Sequence, residues 1–308
     1  MAEYNFGWVD DSGMPTDPQE RTLRRRSAVM SLVSAGSDRA SWDRARNLAV
    51  ANTLLWAALF IHDDIADRDE TRYGRATVWK TFGTDMAVHL GDALLAQTFQ
   101  ILNNEPDPLR TRLVSLATSV IATVCSGQAA EAALQHTRAG LAHVFSVYDR
   151  KASSGFAYCL SSGAVCVGAD NCRIDAASRL GAKVALAFQL RNDLASIWDD
   201  EDSGLKDPLS DLRERKLTAI MAFALTQQGN AADKLREFYQ QPPAPDTAIL
   251  YRARIWLEQC GAKTWLEAEI DRQTQAALRL VPYAAADPNA REELRSLVHH
   301  FCDSNECP

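Results

Sequence analysis

The amino-acid sequence predicts an all-α protein, and three observations support that prediction. Apolar residues recur at the spacing of a helix face through most of the 308 residues, whereas stretches that alternate like a β-strand are nearly absent. Helix-breaking runs, such as Gly229-Asn230 and the Pro-rich stretch 240–246, separate the apolar segments. Neither a repeat nor a linker is evident, so we predict a single domain, residues 1–308, with a central helical bundle.

The predicted helices are rich in Ala, Leu and Val on more than one face. That composition is typical of helices that are buried on several sides or that line a cavity. They cover about residues 18–34, 41–66, 83–103, 107–136, 140–168, 173–199, 210–228, 231–240, 245–259, 262–280 and 288–302.

Composition and charge exclude several classes of function. The net charge of -7 and the pI of about 5.4 leave no broad basic surface, so we predict no nucleic-acid partner. The longest apolar stretch, residues 49–61, is too short to span a bilayer, and the N-terminus lacks the pattern of a signal peptide. Seven Cys, an odd number without a CxxC pair, indicate reduced thiols. We therefore expect a cytoplasmic protein without a membrane span.

A cluster of acidic residues directly follows a strongly apolar helix. In IHDDIADRDETRYG, residues 61–74, Asp63 and Asp67 lie on nearly the same helix face, and Asp64 lies beside them. Like charges at that range raise one another's pKa. A divalent cation relieves the repulsion, and Mg²⁺ prefers carboxylates, waters and phosphate oxygens. The alternative interpretation is a solvated acidic helix end.

A second polar group interrupts another apolar helix, within residues 186–204. Asn192, Ser196 and Asp200 are spaced by four residues, so their oxygen atoms share one helix face, and Asp193 flanks them. Alone, a helix that ends in an exposed loop explains this pattern equally well. Two such clusters together predict metal ions held against one polyanion from two sides.

Basic residues that could contact this polyanion follow the two clusters. Arg72 comes after the first cluster, Lys206 and Lys216 come after the second, and Lys151 opens the stretch KASSGFAY. Each of them alone is explained as simply by a solvated surface residue. The prediction of an anion site rests on their joint pattern.

At this point the chain resembles the trans-isoprenyl diphosphate synthase (polyprenyl synthetase) family. HDDIADRDETRYG, GDALLAQTF, SGQAAE, KASSG, FQLRNDL and GLKDPLSDLRERKLT follow the family's order between about Tyr4 and Thr218. The resemblance implies the all-α isoprenoid synthase fold, a helical bundle around a central active-site cavity. It also implies a homodimer and three Mg²⁺ ions that bridge the two motifs to a prenyl diphosphate. It assigns metal binding to Asp63, Asp64 and Asp67, and diphosphate binding to Arg72, Lys151, Gln189, Lys206 and Lys216.

The sequence departs from this family at the positions expected for a second substrate. Chain-elongating members bind isopentenyl diphosphate through a Gly-Lys-x-x-Arg-Pro stretch, a His two turns before the first motif, and an Arg-Arg-Gly. Here those positions hold ERTLRR at 20–25, Trp56, and Arg72-Tyr73. The second motif, normally Asp-Asp-x-x-Asp, is Asn192-Asp193-Leu-Ala-Ser196. It resembles the metal triad of class I terpene cyclases, with Asp200 in the third place.

These departures predict a class I terpene synthase, a carbon–oxygen lyase that converts one linear C20 or C15 prenyl diphosphate into a cyclised terpene and diphosphate. Aromatic faces stabilise carbocations. Trp56, Phe60 and Phe188 are therefore candidate catalytic residues of the cavity wall, with ordinary core packing as the alternative. Two other hypotheses stay open: a chain-elongating isoprenyl diphosphate synthase and a catalytically silent partner subunit.

Overall fold

The computed structural model describes residues 1–16, 39–72, 74–134, 139–198, 209–242 and 247–303, and these are almost entirely helical. The predicted all-α class is confirmed. The helices are α1 (Ala2–Asn5), α2 (Arg39–Asp67), α3 (Val78–Phe82), α4 (Thr84–Asn103), α5 (Leu109–Leu134), α6 (Leu141–Tyr148), α7 (Ser154–Cys166), α8 (Asn171–Trp198), α9 (Ser210–Arg213), α10 (Ala219–Thr226), α11 (Asn230–Gln240), α12 (Thr247–Gln259), α13 (Ala262–Ala284) and α14 (Pro288–Asp303). The helix predicted at 18–34 lies outside the described residues.

Two predicted helices are divided in the structure. The predicted helix 140–168 consists of α6, a π-helical turn at Asp149–Ser153, and α7. The predicted helix 210–228 is divided into α9 and α10, because Arg215 takes a left-handed backbone with φ of 57° and Thr218 then caps α10. Both interruptions lie near the polar clusters.

A short hairpin, which the sequence does not predict, follows α2. Strands β1 (Thr71–Arg72) and β2 (Arg75–Ala76) pair antiparallel, with Arg72 opposite Arg75. Strands of two residues are too short to show the alternation that identifies a β-strand. The hairpin places Arg72 beside the end of α2.

Helix α8 is the central helix of the bundle and packs against α7 and α13, while α2 packs against α4 and α7. Close contact between α7 and α8 depends on Gly181, since a Cβ there would lie 2.4 Å from the carbonyl oxygen of Phe156. The largest core cluster among the described residues joins α2, α4, α5, α7, α8, α13 and α14. This packing brings the ends of α2 and α8 into the neighbourhood of the π turn.

Two helical stretches, Ser41–Asp67 and Leu109–Leu134, have the length and hydropathy of a membrane span. The first contributes Leu48, Leu55 and Leu59 to the protein core. Core helices of water-soluble proteins meet the same criterion, so these stretches are weak evidence for a span.

Candidate active site

The first acidic cluster lies on the last turns of α2. Asp64 is 5% exposed, whereas the side chains of Asp63 and Asp67 remain 21% and 28% exposed. Apolar residues just upstream are buried in the core, with Leu59 one turn before Asp63 and Ile61 on the opposite side of the helix from it. The carboxylates therefore stand at the border between core and solvent.

Lys151 brings a positive charge to this cluster from the π turn. Its ammonium lies 3.4 Å from Asp63 Oδ1, 3.7 Å from Asp67 Oδ2 and 2.6 Å from Glu131 Oε2. Burial opposes the charged form of Lys151, but the surrounding carboxylates outweigh it and raise its pKa. Burial also raises the pKa of Asp67, against the influence of the nearby ammonium. Lys151 therefore stays protonated beside the carboxylates.

Arg72 supplies a second cation from the hairpin. Its Nε donates to Asp64 Oδ1 at 2.5 Å, and its Nη2 lies 3.6 Å from Asp63 Oδ2 and 3.7 Å from Asp69 Oδ2. The guanidinium carbon is 5.0 Å from the centre of the Phe60 ring, a cation–π contact. Burial raises the pKa of Asp64 to about 6, although Arg72 lowers it.

Helix α5 adds two residues to the site that the sequence analysis did not single out. Gln128 donates to Asp63 Oδ1 at 2.5 Å, and Glu131 accepts the bond from Lys151. Gly127 permits the close approach, since a Cβ there would lie 2.8 Å from the backbone nitrogen of Lys151. The stretch SGQAAE marked this segment as part of the family pattern but gave no side chain a role. π-Helical turns often occur at functional sites, and this one orients the lysine.

The second cluster, on α8, accepts hydrogen bonds from two neutral side chains. Asp193 is 3% exposed and accepts from Tyr148 Oη at 2.5 Å and from Gln189 Nε2 at 3.1 Å. Tyr148 Oη in turn accepts the backbone N–H of Ala219 at 3.1 Å. Burial raises the pKa of Tyr148, and the Asp193 carboxylate raises it further, so the phenol keeps the proton that it donates.

The remaining predicted residues of this cluster occupy different environments. Ser196 is buried, and its hydroxyl lies 2.8 Å from Asp211 Oδ2 and 2.9 Å from the Asp193 carbonyl oxygen. Asn192 is half-buried. Lys216 lies 3.3 Å from Glu214 Oε2. The predicted ligand Asp200 and the predicted anion contact Lys206 lie outside the described residues.

The three candidate aromatic residues have packing contacts in the structure. Trp56 donates from Nε1 to Cys159 Sγ at 3.0 Å, and its ring tip lies against Gly155, where a Cβ would be only 2.1 Å from it. Phe60 lies 5.5 Å from Trp56, centre to centre. Phe188 stacks on Phe156 at 6.0 Å, and both rings also contact Phe301.

The first cluster has the chemistry that Mg²⁺ requires. Asp63 and Asp67 present hard oxygen atoms on one partly exposed helix face, and their burial and proximity favour a neutralising cation. Within the described ranges, no three His, Cys, Asp or Glu side chains could hold an ion as a group. Mg²⁺ commonly uses one or two carboxylates and completes its shell with waters and phosphates, so the residues present fit this ion.

Comparison with known proteins finds relatives that cover most of this chain. A family model described as polyprenyl synthetase matches residues 16–253. A Mycobacterium tuberculosis (2E,6E)-farnesyl diphosphate synthase is 28% identical over 98% of this chain and 85% of its own length. A geranylgeranyl diphosphate synthase of the same organism is 29% identical over 94% of this chain and 83% of its own length.

A solved structure is similar throughout the chain. The crystal structure of a polyprenyl synthetase from Streptomyces coelicolor A3(2) superposes with a TM-score of 0.85 at 28% identity. The match covers 97% of this chain and 90% of that one. The isoprenoid synthase fold expected from the sequence is thereby confirmed.

These relatives overturn the prediction of a terpene cyclase and of a lyase. Relatives over nearly the whole chain are named farnesyl and geranylgeranyl diphosphate synthases, which are chain-elongating prenyltransferases. The wrong prediction rested on substitutions at a few positions. Of these, ERTLRR and Tyr73 lie outside the described residues, and Trp56, on α2, packs against Gly155 and Cys159 of α7. A packed tryptophan is compatible with either reaction, so local substitutions carried too much weight.

Proposed function

The chain belongs to the polyprenyl synthetase family, and from that premise we propose that it is a chain-elongating isoprenyl diphosphate synthase. It joins an allylic diphosphate to isopentenyl diphosphate and releases diphosphate. The observation that carries the proposal is the convergence of Lys151 and Arg72 on the Asp63–Asp67 carboxylates. The names of the relatives favour a C15 or C20 product.

The proposed reaction divides between the substrates and these side chains. The allylic carbon–oxygen bond breaks, the isopentenyl double bond supplies the electrons of the new carbon–carbon bond, and a proton is lost. Lys151 and Arg72 bind the departing diphosphate, and preorganised positive charge lowers the barrier to its departure. Asp63 and Asp67 would hold Mg²⁺, the ion that this family normally uses, which would neutralise the phosphate oxygens when bound.

The number of ions, the subunit arrangement and the location are part of the proposal. We expect three Mg²⁺ ions, with Asn192 contributing an oxygen atom from the second cluster, whereas the Ser196 hydroxyl is already hydrogen-bonded to Asp211. A homodimer is expected from the family and from apolar residues such as Met86 and Val88 that α4 exposes. Light scattering that shows a monomer at micromolar concentration would contradict the dimer. The odd number of Cys and the absence of CxxC pairs favour a cytoplasmic location.

An incorporation assay tests the proposed function. Purified protein, Mg²⁺ and radiolabelled isopentenyl diphosphate are incubated with C5, C10 or C15 allylic diphosphate, and the products are separated by chain length. We expect label in a longer prenyl diphosphate. An allylic substrate converted to hydrocarbon without label, or left unconsumed, would overturn the proposal.

Trp56 allows a sharper test of the second substrate site. The family resemblance expects a His at this position, whose ring could donate to isopentenyl diphosphate. Trp56→His should lower the KM for isopentenyl diphosphate, whereas Trp56→Phe, which adds no such donor, should not. Equal KM values in the two variants would show that this position does not face the second substrate.

A further inference from the structure

Tyr148 joins three segments that carry the proposed diphosphate-binding residues. It is the last residue of α6 and is 5% exposed. Its hydroxyl donates to Asp193 on α8 at 2.5 Å and accepts the N–H of Ala219, the first residue of α10, at 3.1 Å. One phenol oxygen therefore connects α6, α8 and α10.

The candidate anion contacts lie close in sequence to Tyr148, Asp193 and Ala219. Lys151 follows Tyr148 by three positions, within the π turn. Gln189 precedes Asp193 by one helical turn and donates to it. Lys216 precedes Ala219 by three positions. The ammonium of Lys151 lies 3.4 Å from Asp63 Oδ1 and 3.7 Å from Asp67 Oδ2, and Lys216 also lowers the pKa of Asp67 through its positive charge.

We propose that Tyr148 is a positioning residue that aligns Lys151, Gln189 and Lys216 on one diphosphate through its hydrogen bonds to Asp193 and Ala219. The inference rests on the proposed function, because that function supplies the diphosphate. Tyr148 itself is buried behind these residues and acts through them.

The hydroxyl rather than the ring carries this role. The ring packs in the cluster that includes Val144, Leu186 and Leu190, where a phenylalanine ring fills nearly the same space. Removing the hydroxyl withdraws one donor from a buried carboxylate and one acceptor from a buried N–H, which is costly in an apolar environment. The segments on either side are then free to shift relative to each other.

Tyr148→Phe tests the proposal, and Tyr239→Phe is its matched control. Tyr239 belongs to the same core cluster, and its buried hydroxyl has no hydrogen-bond partner among the residues that the structure describes. Calorimetric titration with inorganic diphosphate and Mg²⁺ measures anion binding without turnover. We expect about tenfold weaker binding and a similarly raised KM for the allylic substrate in Tyr148→Phe, and wild-type values in Tyr239→Phe.

A double-mutant comparison shows whether the effect passes through Asp193. If it does, Tyr148→Phe weakens diphosphate binding much less in an Asp193→Ala background than in the wild type. Equal diphosphate affinity in Tyr148→Phe and Tyr239→Phe, or fully independent effects of Tyr148→Phe and Asp193→Ala, would overturn the inference. If Tyr148→Phe weakens diphosphate binding as expected but the wild-type protein incorporates no isopentenyl label, the proposed function is overturned and this inference stands.

Discussion

The two polar clusters of this molecule both lie at the ends of apolar helices, but their carboxylates differ in exposure and in the hydrogen bonds that they accept. At the end of α2, Asp63 and Asp67 are partly exposed and face the ammonium of Lys151. On α8, Asp193 is buried and is held by the neutral donors of Tyr148 and Gln189. A partly exposed carboxylate can bind a metal ion beside its ammonium partner, whereas a buried carboxylate that accepts hydrogen bonds from neighbouring segments holds those segments together.

The difference shows that acidic residues at helix ends need not have the same function. The first cluster has the exposure and the charge that a metal–diphosphate site requires. Much of the second cluster is hydrogen-bonded to other buried groups, as the Ser196 hydroxyl is to Asp211. The following variants test this contrast, beginning with the largest expected effect.

Replacing Asp63 should cause the largest loss of activity. Asp63→Ala removes an oxygen ligand at the centre of the first cluster, and turnover should fall by about 100-fold or more. Steady-state incorporation assays at saturating Mg²⁺ measure the loss. Asp92→Ala, which removes an exposed carboxylate of α4, is the control and should behave as wild type. Unchanged turnover in Asp63→Ala would show that the first cluster does not take part in catalysis.

Replacing Lys151 should weaken substrate binding next. Lys151→Gln removes a cation that faces three carboxylates, and charged hydrogen bonds contribute about 1.5–3 kcal/mol each. The KM for the allylic diphosphate should therefore rise by roughly 10- to 100-fold. Arg150→Gln changes the adjacent residue, whose guanidinium bonds to the Ser146 carbonyl oxygen, and should leave that KM unchanged. Similar KM values in the two variants would show that Lys151 contributes no more to binding of the allylic diphosphate than Arg150 does.

Replacing Asn192 should have a smaller effect, on the metal requirement. Asn192→Ala removes one neutral oxygen donor, so half-saturation by Mg²⁺ should rise by about fivefold while the melting temperature stays unchanged. Titration of activity with Mg²⁺ measures this. Asn171→Ala, at the exposed start of the same helix, is the control. An unchanged Mg²⁺ titration would limit the second cluster to structural support.

Replacing Ser196 should have the smallest effect on activity and act mainly on stability. Ser196→Ala removes the donor to buried Asp211, and the free energy of unfolding should fall by about 1 kcal/mol. Denaturant unfolding measures this change, with the exposed Ser115→Ala as control. If Ser196→Ala unfolds like the wild type but needs much more Mg²⁺, its hydroxyl is chiefly a metal ligand.

The sequence by itself determined the fold class and the positions of both polar clusters. Helical periodicity is a property of contiguous residues, so α2, α5 and α8 could be predicted within a few positions. The spacing of Asp63 and Asp67 likewise fixed their common face, because a helix relates residues four apart. The π turn and the hairpin escaped prediction because each is too short to impose a periodic pattern.

The tertiary structure alone decided which charged side chains and which hydrogen-bonding groups come into contact. Lys151 reaches Glu131 on α5 because Gly127 lets that helix approach the π turn, and Tyr148 reaches Asp193 through the packing of the π turn on α8. Trp56 suggested a cation-stabilising wall in the sequence, yet in the structure it bridges α2 and α7. Such contacts join residues far apart in the chain. They depend on backbone distances and side-chain directions that only the packed helices establish, and local spacing carries no information about them.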